Sequence, residues 1–161
     1  MQLSWKRILI CVIPLLIMIF IFVQSALPAD LSSEESGFFV DFICRRLKAD
    51  PEIVTFVVRK AAHMSEYFAL GMSLAAAFFT GVTGKEKARV KTVFPAGIIG
   101  MVYAVSDEIH QRFVPGRSGE LRDVLIDSVG VICGLAFMWF ILERRRLKVL
   151  QQGSGQQRQK N

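Results

Sequence analysis

Hydrophobic residues in this chain come in long blocks separated by short, densely charged stretches. A bilayer-spanning helix needs about 20 mostly apolar residues, and four stretches approach that length. The first runs from Ile8 to Val23 and extends over Gln24 to Leu27. The second covers Ala61 to about Thr80, and the fourth covers Val124 to Leu142. The third, from Val93 to Val105, is too short alone and fits a span or a re-entrant segment equally. It becomes a full span only if Ser106 to Gln111 are also helical and lie in the membrane zone. The pattern predicts an all-α, polytopic membrane protein with four transmembrane helices.

Charge fixes the expected direction of these spans, because lysine and arginine concentrate on the cytoplasmic side. Lys6 and Arg7 precede the first span. Lys85, Lys87, Arg89 and Lys91 separate the second from the third, and Arg144, Arg145, Arg146, Lys148, Arg158 and Lys160 follow the fourth. That side carries twelve of the twenty basic residues against two acids, whereas the other carries eight bases against twelve acids. The expected location is therefore the cell membrane, multi-pass, with both termini cytoplasmic. This distribution, 52% hydrophobic residues and a mean hydropathy of +0.40 make nucleic acid a poor partner for the +6 chain. Three cysteines without a CxxC support neither a disulfide framework nor a thiolate metal site. The Lys6–Arg7 start and the small residues Ser25, Ala26 and Ala29 would also suit a cleaved signal peptide, but the apolar run exceeds a typical h-region, which favours a retained helix.

The first outer loop has its own pattern. Gly37 to Lys48 places Phe38, Phe39, Phe42, Ile43 and Leu47 on one helical side, with Asp41, Arg45, Arg46 and Lys48 mainly on the other. This predicts an amphipathic helix lying on the outer interface. Asp50-Pro51-Glu52 then reads as a helix start, with Asp50 as N-cap, Pro51 in the first turn and Glu52 near the positive end of the dipole. Residues 1–146 are expected to form one four-helix transmembrane domain, and residues 147–161 a polar, disordered cytoplasmic tail.

Ionisable residues inside a span cost about 2.5–3.5 kcal/mol at the helix centre. Here they gather at one depth. His63 and Glu66 fall in the first turns of span two, and Asp107 lies about 21 Å above Val93 along span three at 1.5 Å per residue. Asp123 and Asp127 open span four. His63, Glu66 and Tyr67 share a face at i, i+3, i+4, as do Asp107, His110 and Gln111. Arg59 and Lys60 lie one turn before His63. Gly97 and Gly100 on span three, with Gly130 and Gly134 on span four, offer thin faces for close helix contact beneath the charged ends. Phe113-Val114-Pro115-Gly116-Arg117 forms a turn that presents Arg117 over the same region. Each residue also has a plain structural reading: a His63–Glu66 pair at the interface, an exposed helix end at Asp107–Glu108, Asp123 as N-cap, and Arg117 on lipid phosphate nonspecifically. Their convergence favours a shared site.

Three strings carry a family resemblance. Lys60-Ala-Ala-His63-Met-Ser-Glu66-Tyr67, then Asp107-Glu108-Ile-His-Gln111-Arg-Phe113-Val-Pro115-Gly116-Arg117, then Asp123 to Gly134 resemble, in order and spacing, the signatures of VanZ-like membrane proteins. Ser25 after the first span is also compatible. The resemblance covers roughly residues 5 to 142 and implies a small four-span envelope protein. The family's named member is associated with low-level resistance to the glycopeptide teicoplanin. No catalytic assignment carries over from the family.

Two functions then compete. In the first, an outer-leaflet polar pocket formed by Lys60, His63, Glu66, Tyr67, Asp107, Glu108, Gln111, Arg117, Asp123 and Asp127 binds an anionic envelope lipid or lipid-linked cell-wall precursor. Arg117, Lys60 and Arg112 or Arg122 would hold its phosphate. In the second, the protein is an intramembrane hydrolase or transferase acting on a lipid-linked substrate, with Glu66, Asp107, Glu108 and His63 as catalytic candidates. Those donors also suit a divalent cation, but no HExxH or similar spacing occurs and no metal ligand or cofactor is assigned. A homo-oligomer is compatible with both. A transporter ranks third, because no inverted repeat is visible.

Overall fold

The computed structural model describes residues 5–80 and 86–158. Its five helices are α1 (Trp5–Ser25), α2 (Ala29–Leu47), α3 (Pro51–Thr80), α4 (Glu86–Gln111) and α5 (Leu121–Arg158). No strand occurs among the described residues. By length and composition two helical stretches can cross a membrane, Ile8–Ser25 in α1 and Leu121–Lys148 in α5. The upper turns of α3 and the ends of α4 carry the polar residues noted above, which lower their hydropathy. Lys85 and Lys160 lie outside the described residues, as do the side chains of Lys6, Arg7, Lys87, Arg89, Lys91 and Arg158.

Helix α3 is the central element: it packs against α1, α2, α4 and above all α5. The core joins Ile21 of α1, Leu70 and Leu74 of α3, Ala96 and Ala104 of α4, and Val131 and Leu135 of α5. Small residues set this geometry. A Cβ on Gly134 would collide with the Phe68 carbonyl, and one on Gly130 would come within 2.6 Å of the Met64 carbonyl. Gly71 answers from α3, where a Cβ would strike the Val131 backbone. The glycine face of α5 is thus pressed onto α3, and α4 meets α5 differently, with Gly100 making room for the Val131 side chain.

Local signals act as their chemistry dictates. The Glu52 N–H donates to Asp50 Oδ1 at 2.8 Å, the expected cap of α3. α3 continues without a break from this cap through the second apolar block. Likewise α4 is helical through Gln111, so Ser106 to Gln111 extend the short third block as helix. Helix α2 begins at Ala29, eight residues before the expected start, and ends at Lys48 in a left-handed C-cap. It buries Val40 and leaves Phe38, Phe39, Phe42 and Leu47 exposed. The phenylalanine stripe therefore faces away from the bundle.

Two expectations are corrected. Residues 147–158, expected to be disordered, continue α5. Extending an existing helix avoids the nucleation penalty, and the Gln and Arg residues here are good helix formers, which offsets Gly153 and Gly155. Asp123 is not the N-cap of α5, which begins at Leu121; it sits in the first turn and pairs with Lys60.

Gly134→Leu is expected to lower the thermal midpoint in detergent micelles by forcing α3 and α5 apart, at about 1–3 kcal/mol. Gly97→Ala, whose Cβ would make only ordinary contact with Leu135 at 3.5 Å, should leave the midpoint unchanged or slightly raised.

Candidate functional site

The polar residues meet at the end of the bundle where α3 and α5 begin and α1 and α4 finish. Asp107 and Glu108, in the last turns of α4, are 3% and 5% exposed. They are not an exposed helix end. Burying a carboxylate without partners is very unfavourable, and the chain supplies partners from several elements. Ser25, the last residue of α1 and fully buried, donates its hydroxyl to Asp107 Oδ2 at 2.8 Å. Gln111 Nε2 donates to the same oxygen at 3.1 Å and approaches Glu108 Oε1 at 3.3 Å. The i, i+3 and i, i+4 spacings make those two contacts available on one helix face. Glu108 Oε2 accepts from the Glu120 N–H at 3.0 Å, so this carboxylate sits at the positive N-terminus of α5. Both oxygens of Glu108 are engaged, and the residue joins α4 to α5.

Around Asp107 lies a second set of groups. His63, Glu66 and Tyr67 project from α3 and Asp127 from α5, all within electrostatic reach of Asp107. Tyr67 is fully buried and Asp127 is 2% exposed. His63 Nδ1 faces Glu66 Oε2 at 3.7 Å, beyond hydrogen-bond distance. The Tyr67 hydroxyl, Asp107 Oδ1, Asp127 Oδ2, Glu66 Oε2 and His63 Nδ1 are buried without a hydrogen-bond partner. The result is a buried acidic floor assembled from three helices, with α1 closing one side. Among the described residues no three His, Cys, Asp or Glu side chains converge in a geometry that would hold a metal ion.

Above this floor opens a cavity of about 590 Å³. Its wall is rich in bases: Arg59 and Lys60 from α3, Arg117 from the α4–α5 turn, and Arg122 from α5. Lys60 forms an ion pair with Asp123, and Arg122 lies 3.2 Å from Glu120. Both cations also lie against the Phe56 ring, at 5.5 Å and 5.2 Å from its centroid. Arg59 has no ion-pair partner among the described residues. His63 lines this cavity and also belongs to the acidic floor, so it links the two levels.

Arg117 occupies an unexpected place. Its Nε donates to the Leu27 carbonyl at 2.8 Å and its Nη2 to the Gln24 carbonyl at 3.0 Å, while Nη1 lies 3.4 Å from His63 Nε2. The guanidinium therefore caps the C-terminal end of α1, where helical carbonyls lack partners. The expected Pro115-Gly116 turn delivers it there, with Gly116 at φ 74°. Burial pushes the Arg117 guanidinium below its ordinary value, an effect that Arg59 reinforces and that Asp107, Glu108 and Glu66 oppose.

All ten expected pocket residues thus lie at one end of the bundle, but on two levels. Lys60, His63, Arg117 and Asp123 line the cavity; Glu66, Tyr67, Asp107, Glu108, Gln111 and Asp127 form or support the floor. His110 shares the Asp107 spacing but stacks on Phe22 of α1 at 4.4 Å. Arg112, a candidate for holding phosphate, turns away to the Gly119 carbonyl. Sequence reasoning did not place Glu52, Thr55 or Glu120 at the cavity, nor the Tyr103 hydroxyl, which donates to the Met18 carbonyl at 2.5 Å and ties α4 to α1. Glu52 and Thr55 were findable, because with Arg59 they continue the His63 face at helical spacing.

Arg117→Ala should destabilise the fold by about 1–3 kcal/mol, since it removes the donor to the Leu27 carbonyl and leaves the Gln24 carbonyl only the Leu27 N–H. Arg117→Lys should not restore the loss, because a single ammonium lacks the fork that reaches both. Thermal unfolding in micelles measures both variants; full stability in the lysine variant would refute the fork argument.

Comparison with curated proteins and with solved structures gives no match. The family model described as VanZ/LLP1 matches residues 10–142. That span holds α2 and α3 whole and takes in Ser25, the α4 carboxylates, the Arg117 turn and the glycine face of α5, so the chain belongs to the VanZ/LLP1 family.

Proposed function

We propose that the protein is a four-span membrane protein whose outer-leaflet cavity binds an anionic envelope lipid or lipid-linked precursor. In this reading α1, α3, α4 and α5 cross the bilayer, α2 lies on the outer interface, and both termini are cytoplasmic. The unequal distribution of lysine and arginine supports the orientation. The exposed phenylalanines of α2, next to Arg45, Arg46 and Lys48, suit an interfacial helix. Contribution to low-level glycopeptide resistance is one consequence that binding such a lipid would allow, since it would change what a lipid-tailed antibiotic meets at the outer leaflet.

The observation that carries the proposal is the basic cavity wall at one end of the bundle, which the proposed orientation would bring to the level of lipid phosphates. Four cations converge on one hollow, and Arg59 faces it without a carboxylate of its own. An anionic headgroup would supply Arg59 with the counter-charge that Asp123 gives Lys60 and Glu120 gives Arg122, and guanidinium groups grip phosphate by paired hydrogen bonds. The Ser25–Asp107 hydrogen bond and the unpartnered buried groups around it favour a second reading, an intramembrane hydrolase or transferase using the floor for acid–base work. Turnover of the bound lipid by purified protein separates that reading from binding alone.

Two outcomes are expected. Arg59→Ala should weaken binding of phosphatidylglycerol nanodiscs about tenfold with unchanged thermal stability, and the wild-type affinity should fall with added salt; equal affinity in variant and wild type would remove the cavity from lipid binding. In a cysteine-free background, a cysteine at Ser118 should react with an impermeant maleimide on intact cells, and one at Gln151 only after lysis. The reverse pattern would overturn the topology.

A further inference from the structure

The cavity wall is graded along α3. Glu52, Thr55 with Phe56, Arg59 with Lys60, and His63 follow one another at intervals of three to four residues and so form one stripe facing the hollow. At 1.5 Å per residue, Glu52 stands about 10 Å further out than Arg59. The bases are concentrated at the inner level, where Phe56 also gathers Lys60 and Arg122. Glu52 and Thr55 occupy the outer level, whereas the inner carboxylates Asp123 and Glu120 are already paired with Lys60 and Arg122. Thr55 donates its proton to the Pro51 carbonyl at 2.8 Å, which leaves its oxygen free to accept. The Glu52 N–H is taken by Asp50, whereas no side-chain hydrogen bond or ion pair engages its carboxylate among the described residues.

A phosphate alone does not fill about 590 Å³, a volume within the range of about 300–1,000 Å³ usual for small-molecule sites. Nor does a carboxylate beside the anion help a bare phosphate, since like charges repel. The outer level instead suits a group rich in donors, such as the hydroxyls of a sugar. We infer that the cavity recognises a sugar joined to a phosphate, with the phosphate at Arg59 and Lys60 and the sugar hydroxyls donating outward to Glu52 and Thr55. This inference rests on the proposed anion site and on α3 running inward from the outer face. Under that orientation the order matches a glycosylated lipid phosphate in the outer leaflet: acyl or prenyl tail below, phosphate at the interface, sugar towards water.

The test compares two lipids with one tail. Calorimetry of the full-length protein in micelles would measure binding of farnesyl phosphate and of its glucosyl ester, with glucose 1-phosphate as the soluble headgroup. Glycosylation turns a monoester into a diester and so removes charge. A site that reads charge alone must prefer farnesyl phosphate. The inference predicts the opposite, the glucosyl ester binding about tenfold more tightly. The double variant Glu52→Ala with Thr55→Ala should erase that preference. Glucose 1-phosphate binding as tightly as the glycosyl lipid would uphold the headgroup recognition and assign its source to solution. A preference for farnesyl phosphate, or a sugar preference that survives the double variant, overturns the inference while the anion site stands. Failure of all three ligands to bind removes the anion site itself.

Discussion

The constraint on which this architecture depends is the burial of Asp107. A carboxylate nearly excluded from solvent is tolerated only when donors reach it. Ser25 and Gln111 donate to one of its oxygens, and His63, Glu66, Tyr67 and Asp127 surround the residue from two other helices. Helix α1 ends and α5 begins near that level, whereas α3, which starts at Pro51, runs past it with His63, Glu66 and Tyr67. The neighbouring Glu108 adds a tie to the Glu120 N–H just ahead of α5. Acidic residues in the last turn of α4 would ordinarily oppose its helix dipole. Here they are offset by the positive end of the next helix and by the bases above.

The glycine-lined contact makes this convergence possible lower down. With α5 pressed onto α3 through Gly71, Gly130 and Gly134, Asp127 is brought one turn above a backbone contact and cannot stray from Tyr67. Helix α1 is held by other means. Along its length it buries Pro14, Ile21 and Ser25, a single stripe, and leaves much of its apolar surface exposed. Polar contacts fix its upper half: Tyr103 on the Met18 carbonyl, His110 on Phe22, Ser25 on Asp107, and Arg117 on the carbonyls of Gln24 and Leu27. Hydrocarbon around α1 would offer little drive for packing, because lipid tails are as apolar as its side chains. Directed hydrogen bonds supply the register that hydrophobicity cannot.

Much of this was legible in the sequence because it depends on spacing. Asp50 capping α3, the turn at Pro115-Gly116, and the shared faces of His63, Glu66 and Tyr67 follow from local rules. The convergence of ten residues at one end followed from depth along each helix. What stayed hidden depends on partners that have no side-chain signature. Arg117 was read as a phosphate ligand, yet its donors meet backbone carbonyls of α1, which every residue possesses. The glycines of α5 announced a close contact without naming α3 as the partner. In α2 the phenylalanines dominated the pattern, but the less conspicuous Val40 makes the buried contact. The helical continuation past Gln151 reflects propagation from a long helix, which composition alone does not register.

The separation of sign into two levels also has an electrostatic logic. If the bases of the cavity wall faced the acidic floor directly, the two would neutralise one another and leave no site. Instead Asp123 engages Lys60, Glu120 engages Arg122, and Arg117 is directed at the end of α1. These pairings hold the bases in place around the hollow without cancelling Arg59. Of the floor acids, Asp107 is held by Ser25 and Gln111, and Glu108 by Gln111 and the Glu120 N–H. His63 stands between the levels, beside Arg117 on one side and Glu66 on the other. An anion entering the cavity would alter the balance at Lys60 and His63 first, and through Asp123 and Glu66 that change would reach the buried acids. On the proposed reading, these few side chains would link an anion in the cavity to the acids beneath it.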